Sequence, residues 1–403
     1  MDSRLYWIWL QQALGVGSPK ADPLLRVMET PAAVWRAEDQ TLKELGMTKN
    51  ERERLAQKSL DSAAGVLEAS QKDGGWVLTP DDALYPDNLR GIYALPLVLY
   101  GKGELPEWDS RPGLGMVGPR EPTVYGRQMA RYLSQSVAAA GITVISGGAV
   151  GIDAACHEGA IDAGGITIAV QGCGLDVDYP RRNAALRQRI LETGGAVLTE
   201  YPPQSPPLGE HFPVRNRIIS GLAQGVCVVE APASSGSLIT ATCAREQGRE
   251  VMTLPGPAGM ASCAGSNALL RKGASLVENA GDILLLYQDR FGSKLDTQAA
   301  GRFSPPVWQP LQPAHRESSP APAQPVQVPP AGERRPRQAE PKKCPAGLSP
   351  DAQRMYERLE DEPRPVDWLA RQAGMDTSRA LTVLTELEIA GAARSFAGGR
   401  YGR

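Results

Sequence analysis

Residues 113–153 read GLGMVGPREPTVYGRQMARYLSQSVAAAGITVISGGAVGID. Two short apolar runs, Leu114–Val117 and Ile142–Ile145, flank a stretch in which Met129, Leu133 and Val137 fall on one helical face. Gly141 then supplies a helix stop. This is strand, helix, strand. Outward from it the pattern repeats, with further apolar runs at Ile166–Val170, Ala196–Thr199, Gly225–Val229 and Val251–Leu254. Short, nearly all-apolar strands separated by helical segments indicate a parallel sheet covered on both faces. The reading from about 110 to 290 is therefore an α/β fold with a doubly wound, Rossmann-like, mainly parallel sheet.

The flanks differ in texture. Residues 1–70 read as short helices broken by LGVGSP and LGMTKNE. Leu14-Gly15-Val16-Gly17 suits a helix-hairpin-helix turn whose amides meet a phosphate, and equally a glycine hairpin that packs two helices. The sheet domain is expected over 71–292, with a linker over 293–347. Residues 304–347 hold 12 prolines in 44 positions, too little apolar surface to offset ordering entropy. Its basic clusters, Arg334-Arg335-x-Arg337 and Lys342-Lys343, fit a solvated tether or a nucleic-acid contact. Residues 348–403 resume globular patterning, with helices expected at Asp351–Leu359, Val366–Ala373 and Thr377–Ile389 before a Gly/Arg-rich tail. That outline is a winged helix, whose third helix would enter the major groove. Here that helix offers only Arg379 against two glutamates, so a protein-contact or tethering role is at least as well supported.

Composition bounds the function. The chain has 403 residues, 42% hydrophobic and 22% charged, with 43 Lys+Arg against 45 Asp+Glu for a net charge of −2. A histone-like polybasic protein is excluded, but a local basic groove is not. Between Glu104 and Arg290 the only lysine is Lys272, so positive charge there is carried by arginine, the residue suited to bidentate phosphate contacts. No apolar run approaches the roughly 18 residues of a membrane helix. The start, MDSRLYWIWLQQALG, lacks a basic n-region and a cleavage site. Six dispersed cysteines without a CxxC pair argue against disulfide frameworks and zinc sites. A cytoplasmic protein without metal or cofactor is expected.

In a doubly wound sheet, ligands collect beyond the carboxyl ends of the strands. Three glycine-rich junctions fall there: Gly118-Pro119-Arg120, Ser146-Gly147-Gly148 running on to Asp153, and Ser235-Gly236-Ser237 before a helix. Glycines let an anion approach the backbone, and helix starts present free amides, although glycines also make plain turns. Gly113, Gly115 and Gly118 spell GxGxxG, but inside the first strand rather than between strand and helix, so NAD is rejected. There is no P-loop lysine either.

The stretch His211-Phe212-Pro213-Val214-Arg215-Asn216-Arg217 carries arginines for phosphate, an asparagine for hydrogen bonding and an aromatic for stacking. Those are the ingredients of single-strand recognition. They are also compatible with a helix start whose Phe212 is core and whose arginines form structural ion pairs. Asp153 and His157, four apart, form a pair that is structural more often than catalytic. No nucleophile elbow or metal-ligand cluster appears.

VGPRE, ISGGAVGIDAACHEGAI, TIAVQGCGLDVDYP, HFPVRNRIISGL, VVEAPASSGSLITATCAREQGREV and LPGP follow one another in an order that resembles the DprA/Smf family over about residues 80–285. The resemblance implies a non-enzymatic, cytoplasmic, single-strand-DNA-binding protein. Such a protein protects incoming DNA in natural transformation and loads the recombinase RecA onto strands covered by single-strand-binding protein. By the same resemblance the DNA-binding residues are Gly118, Arg120, Ser146, Gly147, Gly148, Phe212, Arg215, Asn216, Arg217, Ser235, Gly236 and Ser237. A homodimer would form through the Rossmann-like domain, with Leu238, Leu270 and Leu276 at matching positions or in ordinary core. Two departures stand out. Pro119 replaces a residue with an N–H in the first loop, and no lysine precedes Phe212, where some members have one, so Arg182, Arg187 or the linker are candidate substitutes. The alternative is a phosphoribohydrolase-like nucleotide enzyme on a related fold, but Thr240 stands where its catalytic acid is needed. A pure scaffold for RecA differs from the leading reading only in lacking DNA affinity.

Overall fold

The computed structural model describes residues 2–104, 108, 110–306, 348–360, 362–396 and 400–402. The chain divides into two units, Met1–Pro310 and Leu311–Arg403. In the first, a nine-stranded sheet runs β1 (Trp76–Leu78), β2 (Leu99–Gly103), β3 (Gly113–Val117), β4 (Thr143–Ser146), β5 (Thr167–Gln171), β6 (Ala196–Thr199), β7 (Gly225–Val228), β8 (Glu250–Thr253) and β9 (Ser275–Leu276). Their order in space is β1-β2-β6-β5-β4-β3-β7-β8-β9. From β6 to β9 the pairing is parallel, while β2 adds antiparallel to β6 and β1 antiparallel to β2. The six strands expected from the sequence are present within one residue at each end. The missed ones are β1 and β9, edge strands of only three and two residues, and β2 beside β1, whose Leu99-Tyr100-Gly101-Lys102-Gly103 breaks the apolar run of a central strand.

Helices α1 (Arg4–Leu14), α2 (Ala21–Met28), α3 (Pro31–Arg36), α4 (Asp39–Glu44), α5 (Lys49–Leu55) and α6 (Asp61–Gln71) precede the sheet, and α7 (Asp87–Arg90) lies between β1 and β2. Crossovers are made by α8 (Val124–Ala139), α9 (Ile152–Asp162), α10 (Ala184–Glu192), α11 (His211–Leu222), α12 (Ser237–Glu246) and α13 (Ala264–Arg271). The unit closes with α14 (Ala280–Phe291) and α15 (Thr297–Ala300). In α8, Thr123 caps the start by accepting from the Gly126 amide, and Met129, Leu133 and Val137 are buried on the expected face. Two apolar layers enclose the sheet. One gathers α8, α9 and α14 around Leu114, Met116 and Val144; the other gathers α11 and α12 around Ile168, Val170, Val226 and Val228.

The expected linker start at 293 needs correction. Ala299 and Ala300 of α15 are buried, and Leu295 and Phe303 pack partly against the α8 layer. The polar glycine segment after α14 hid those apolar anchors, and the proline-rich stretch begins only beyond them. Most of that stretch, with its basic clusters, lies outside the described residues.

The second unit holds α16 (Pro350–Arg358), α17 (Val366–Ala373) and α18 (Thr377–Ile389) with strands β10 (Arg364–Pro365), β11 (Arg394–Phe396) and β12 (Arg400–Gly402) ordered β10-β12-β11. Three helices and a small antiparallel sheet make a winged helix. Its core is Met355, Leu369, Val383, Leu384 and Leu387. Arg379, the basic residue of α18, is held 2.7 Å from Asp351 of α16.

Candidate nucleic-acid interface

The chain visits β3, β4, β5 and β6 on one side of β3, then returns to lay β7 against its other side. At that reversal the crossovers leave in opposite directions and open a crevice beyond the strand ends. A cleft of about 390 Å³ lies there. Its walls are the loop after β3 (Gly118, Pro119, Arg120), the start of α9 (Ala149, Asp153), α11, and the junction after β7 (Pro232 to Thr240).

From α11 the wall takes Phe212, Arg215, Asn216 and Ile219. Their spacing of three, four and seven is one helical face. Arg215 is buried and donates to the carbonyls of Gly147, at 2.6 Å, and Val170, while its Nε donates to Asn216 Oδ1 at 3.3 Å. Burial pushes its guanidinium below the ordinary value; Asp153 pulls it up and Arg120 pushes it down. Burial likewise raises the Asp153 carboxyl, with Arg215 the main opposing influence. These two charges offset one another at the cleft floor. Gly147 lies between them: a Cβ there would come within 2.5 Å of the Asp153 carboxylate and 2.6 Å of the Arg215 guanidinium.

Arg120 is exposed at the mouth, 5.1 Å over the Phe212 ring, and among the described residues it forms no salt bridge. Arg215 lies 5.9 Å from the same ring. Phe212 is half-buried, neither core nor free, and touches Tyr179 with ring centroids 5.7 Å apart. Opposite, Ser235 and Ser237 bond through their hydroxyls at 2.7 Å, Ser235 Oγ accepts the Ser237 amide, and Asn216 donates to the Gly236 carbonyl. The positive end of α12 therefore faces the cleft.

Eight of the expected residues meet at this cleft: Gly118, Arg120, Phe212, Arg215, Asn216, Ser235, Gly236 and Ser237. Four do not. Ser146 turns inward and donates to the Met116 carbonyl at 2.6 Å. The amides of Gly147 and Ala149 are taken by the Asp153 carboxylate, so the Ser146–Gly148 junction is closed by an internal anion. The Gly148 carbonyl accepts from Asn183 at 3.0 Å. Arg217, two residues past Arg215, points away from the cleft, is 8% exposed, and pairs with buried Glu200 at 2.7 Å. The same carboxylate accepts the Gly17 amide. A Cβ on Gly17, whose φ is +69°, would come within 2.4 Å of Val214. The glycine hairpin after α1 thus packs against α11 and receives an internal carboxylate where a phosphate had been an option.

The cleft wall also takes Asp153, Ile239 and Thr240, which close the two loops that the resemblance implied, Ser146–Asp153 and Ser235–Thr240, and Ile219, which was not singled out. Helical spacing from Phe212 would have found Ile219 and excluded Arg217. His157 is structural: its Nδ1 donates to Thr167 at 2.7 Å, and burial lowers its pKa to about 3. Where the lysine is missing, His211 stacks on Tyr201 at 4.1 Å and donates to the Gly172 carbonyl. Arg187 is bound to Asp178 and to the carbonyls of Tyr179 and Pro180.

Residues 76–288 match the family model for DNA recombination-mediator protein A, and residues 338–399 match the DprA winged helix domain. The chain belongs to the DprA/Smf family. Protein Smf of Escherichia coli is 35% identical over 97% of this chain and 94% of its own length. DNA processing protein DprA of Bacillus subtilis is 40% identical over 54% of this chain and 73% of its own. The X-ray structure of DNA processing protein A from Streptococcus pneumoniae superposes with a TM-score of 0.61 at 34% identity, covering 71% of this chain and 98% of that one. The Rossmann-like DprA fold and the winged-helix domain are accordingly the family's own.

Proposed function

We propose that the cleft binds single-stranded DNA and that the protein acts, without catalysing a reaction, as a cytoplasmic recombination mediator. In this reading it protects incoming strands in natural transformation and loads RecA onto DNA coated by single-strand-binding protein. The observation that carries the DNA-binding reading is the Arg120–Phe212 pair: an exposed guanidinium that forms no salt bridge among the described residues, stacked on an aromatic at the mouth of the cleft. A base has a π-face for Phe212 and its phosphate takes the planar fork of Arg120. The amide end of α12 offers a second anion contact. The nucleotide-enzyme alternative gains nothing from the geometry, since Thr240 carries no carboxylate and Glu230 instead accepts from the Thr123 amide and hydroxyl.

Dimerisation belongs to the same proposal. Leu276 on edge strand β9 is 49% exposed, and Leu238 and Leu270 are half-buried on α12 and α13, with Leu238 also packed on the core. An open sheet edge is a natural template for self-pairing.

Fluorescence anisotropy of labelled single strands and duplexes across a salt series tests the binding. Arg120→Ala should abolish tight single-strand binding without changing thermal stability. Whatever binding remains should show a salt slope lower by about 0.7, one single-strand phosphate. Equal binding to duplex, or unchanged binding by Arg120→Ala, would overturn the assignment.

A further inference from the structure

Resting on the single-strand reading of the cleft, we propose that the glycine hairpin between α1 and α2 sets the affinity of the cleft from behind. Gly17, Glu200 and Arg217 are positioning residues. None of them lines the cleft, and together they fix the first turn of α11, which carries Phe212.

The two faces of α11 meet different surroundings. Phe212, Arg215, Asn216 and Ile219 face the cleft. Val214, Arg217 and Gly221, three and seven apart, form another face. Gly221 lies so close to α7 that a Cβ there would come within 2.6 Å of Leu89. Arg217 is held at 2.7 Å by Glu200, just past the end of β6, and the Glu200 carboxylate also accepts the Gly17 amide. A Cβ on Gly17 would lie 2.4 Å from Val214 Cγ1 and 3.5 Å from the Arg217 guanidinium. One carboxylate and one glycine thus join the hairpin to the back of the cleft helix.

The two sides of this contact are unequally tied. Gln11 of α1 donates to the Glu200 carbonyl at 3.2 Å and accepts from the Tyr100 hydroxyl of β2 at 3.1 Å. The first turn of α11 has no side-chain cap, and its residues 211–214 are partly or fully exposed. That turn is therefore the side that yields when the contact is crowded. Val214 cannot swing out of the way, because a β-branched side chain in a helix keeps essentially one rotamer. Phe212 is two residues from Val214, so a shift of the turn moves its ring relative to Arg120, which stands over it at 5.1 Å on the loop after β3. Stacking on Phe212 then depends on the hairpin, while the phosphate contact of Arg120 does not.

The test measures anisotropy of a labelled oligothymidylate with the full chain across a salt series. In parallel, a strand carrying 2-aminopurine reports base stacking by its quenching. Gly17→Ala should weaken binding roughly 5- to 150-fold, a stacked base's worth, and reduce the quenching. The salt slope should stay unchanged, since no phosphate contact is lost. Gly17→Ala/Val214→Ala should regain affinity and quenching yet keep a lowered melting temperature, because a φ of +69° still strains an alanine. A merely structural role would move affinity and stability together. Wild-type affinity in folded Gly17→Ala overturns the proposal, as does weakening that Val214→Ala does not relieve. So does a salt slope that falls with affinity. Should Gly17→Ala fail to fold, Glu200→Gln takes its place: it keeps an acceptor for the Gly17 amide and removes the charge that holds Arg217. It should weaken binding at unchanged slope, and wild-type affinity there overturns the proposal equally. If the wild-type protein binds no single strand, the cleft reading itself fails and takes this inference with it.

Discussion

The junctions Ser146–Gly148 and Ser235–Ser237 lie beyond the ends of β4 and β7, the two parallel strands that flank β3, and look alike as text: serine, glycine, then a helix. In the structure they are opposites. The first is sealed, its amides accepted by Asp153 in the first turn of α9 and its serine turned to the Met116 carbonyl. The second faces the cleft with the positive end of α12. The hairpin at Gly17 repeats the sealed case, with Glu200 as the internal anion. At two of these glycine-bearing junctions the protein supplies its own anion; at the third no carboxylate is hydrogen-bonded to the amides among the described residues.

The largest expected effect breaks a sealed site. Glu200→Ala leaves Arg217 charged, buried and unpaired, and should cost about 3–5 kcal/mol in urea unfolding. A loss under about 1 kcal/mol would mean that the pair is not a structural seal. At the open site, Phe212→Ala should weaken single-strand binding by about 1–3 kcal/mol, read by anisotropy, with a much smaller change in stability. Equal loss of stability would return Phe212 to the core. Solution pH acts on sealed polar groups as well. His157, neutral when folded with a pKa lowered to about 3 by burial, takes up a proton on unfolding below its ordinary 6.5. The unfolded state then binds more protons, so stability rises with pH across that window and falls by about 1 kcal/mol per unit as pH drops from 6.5 toward 3. His157→Gln should flatten that slope in unfolding curves. The smallest effect is Ser235→Ala, which removes the hydroxyl at the start of α12 and should cost about 1 kcal/mol of stability. It should weaken DNA binding only slightly, because backbone amides remain.

The central strands and α8 were legible because burial on both faces forces continuous apolar runs, and helix burial forces the Met129, Leu133, Val137 repeat. β1, β2 and β9 were not: β1 and β9 are edge strands of only three and two residues, β2 carries two glycines and a lysine, and nothing local separates them from loop. Within the site, Arg120 and Phe212 were readable from type and position. Arg217 was misplaced because adjacent letters on a helix point in different directions, and its partner Glu200 is 17 residues earlier on the end of another strand.

Residue order and type alone therefore determined the parallel α/β core, the late proline-rich stretch, the winged-helix outline and the family to which the cleft belongs. The first three follow from periodicity and local composition, which every chain displays without folding; the family was carried by the resemblance of its ordered motifs. Which glycine junction is open, which arginine is free and which is neutralised were decided only by tertiary structure. Charge is compensated through space, and the carboxylates that close Ser146–Gly148 and Gly17, and that hold Arg217, reach them by the path of the fold.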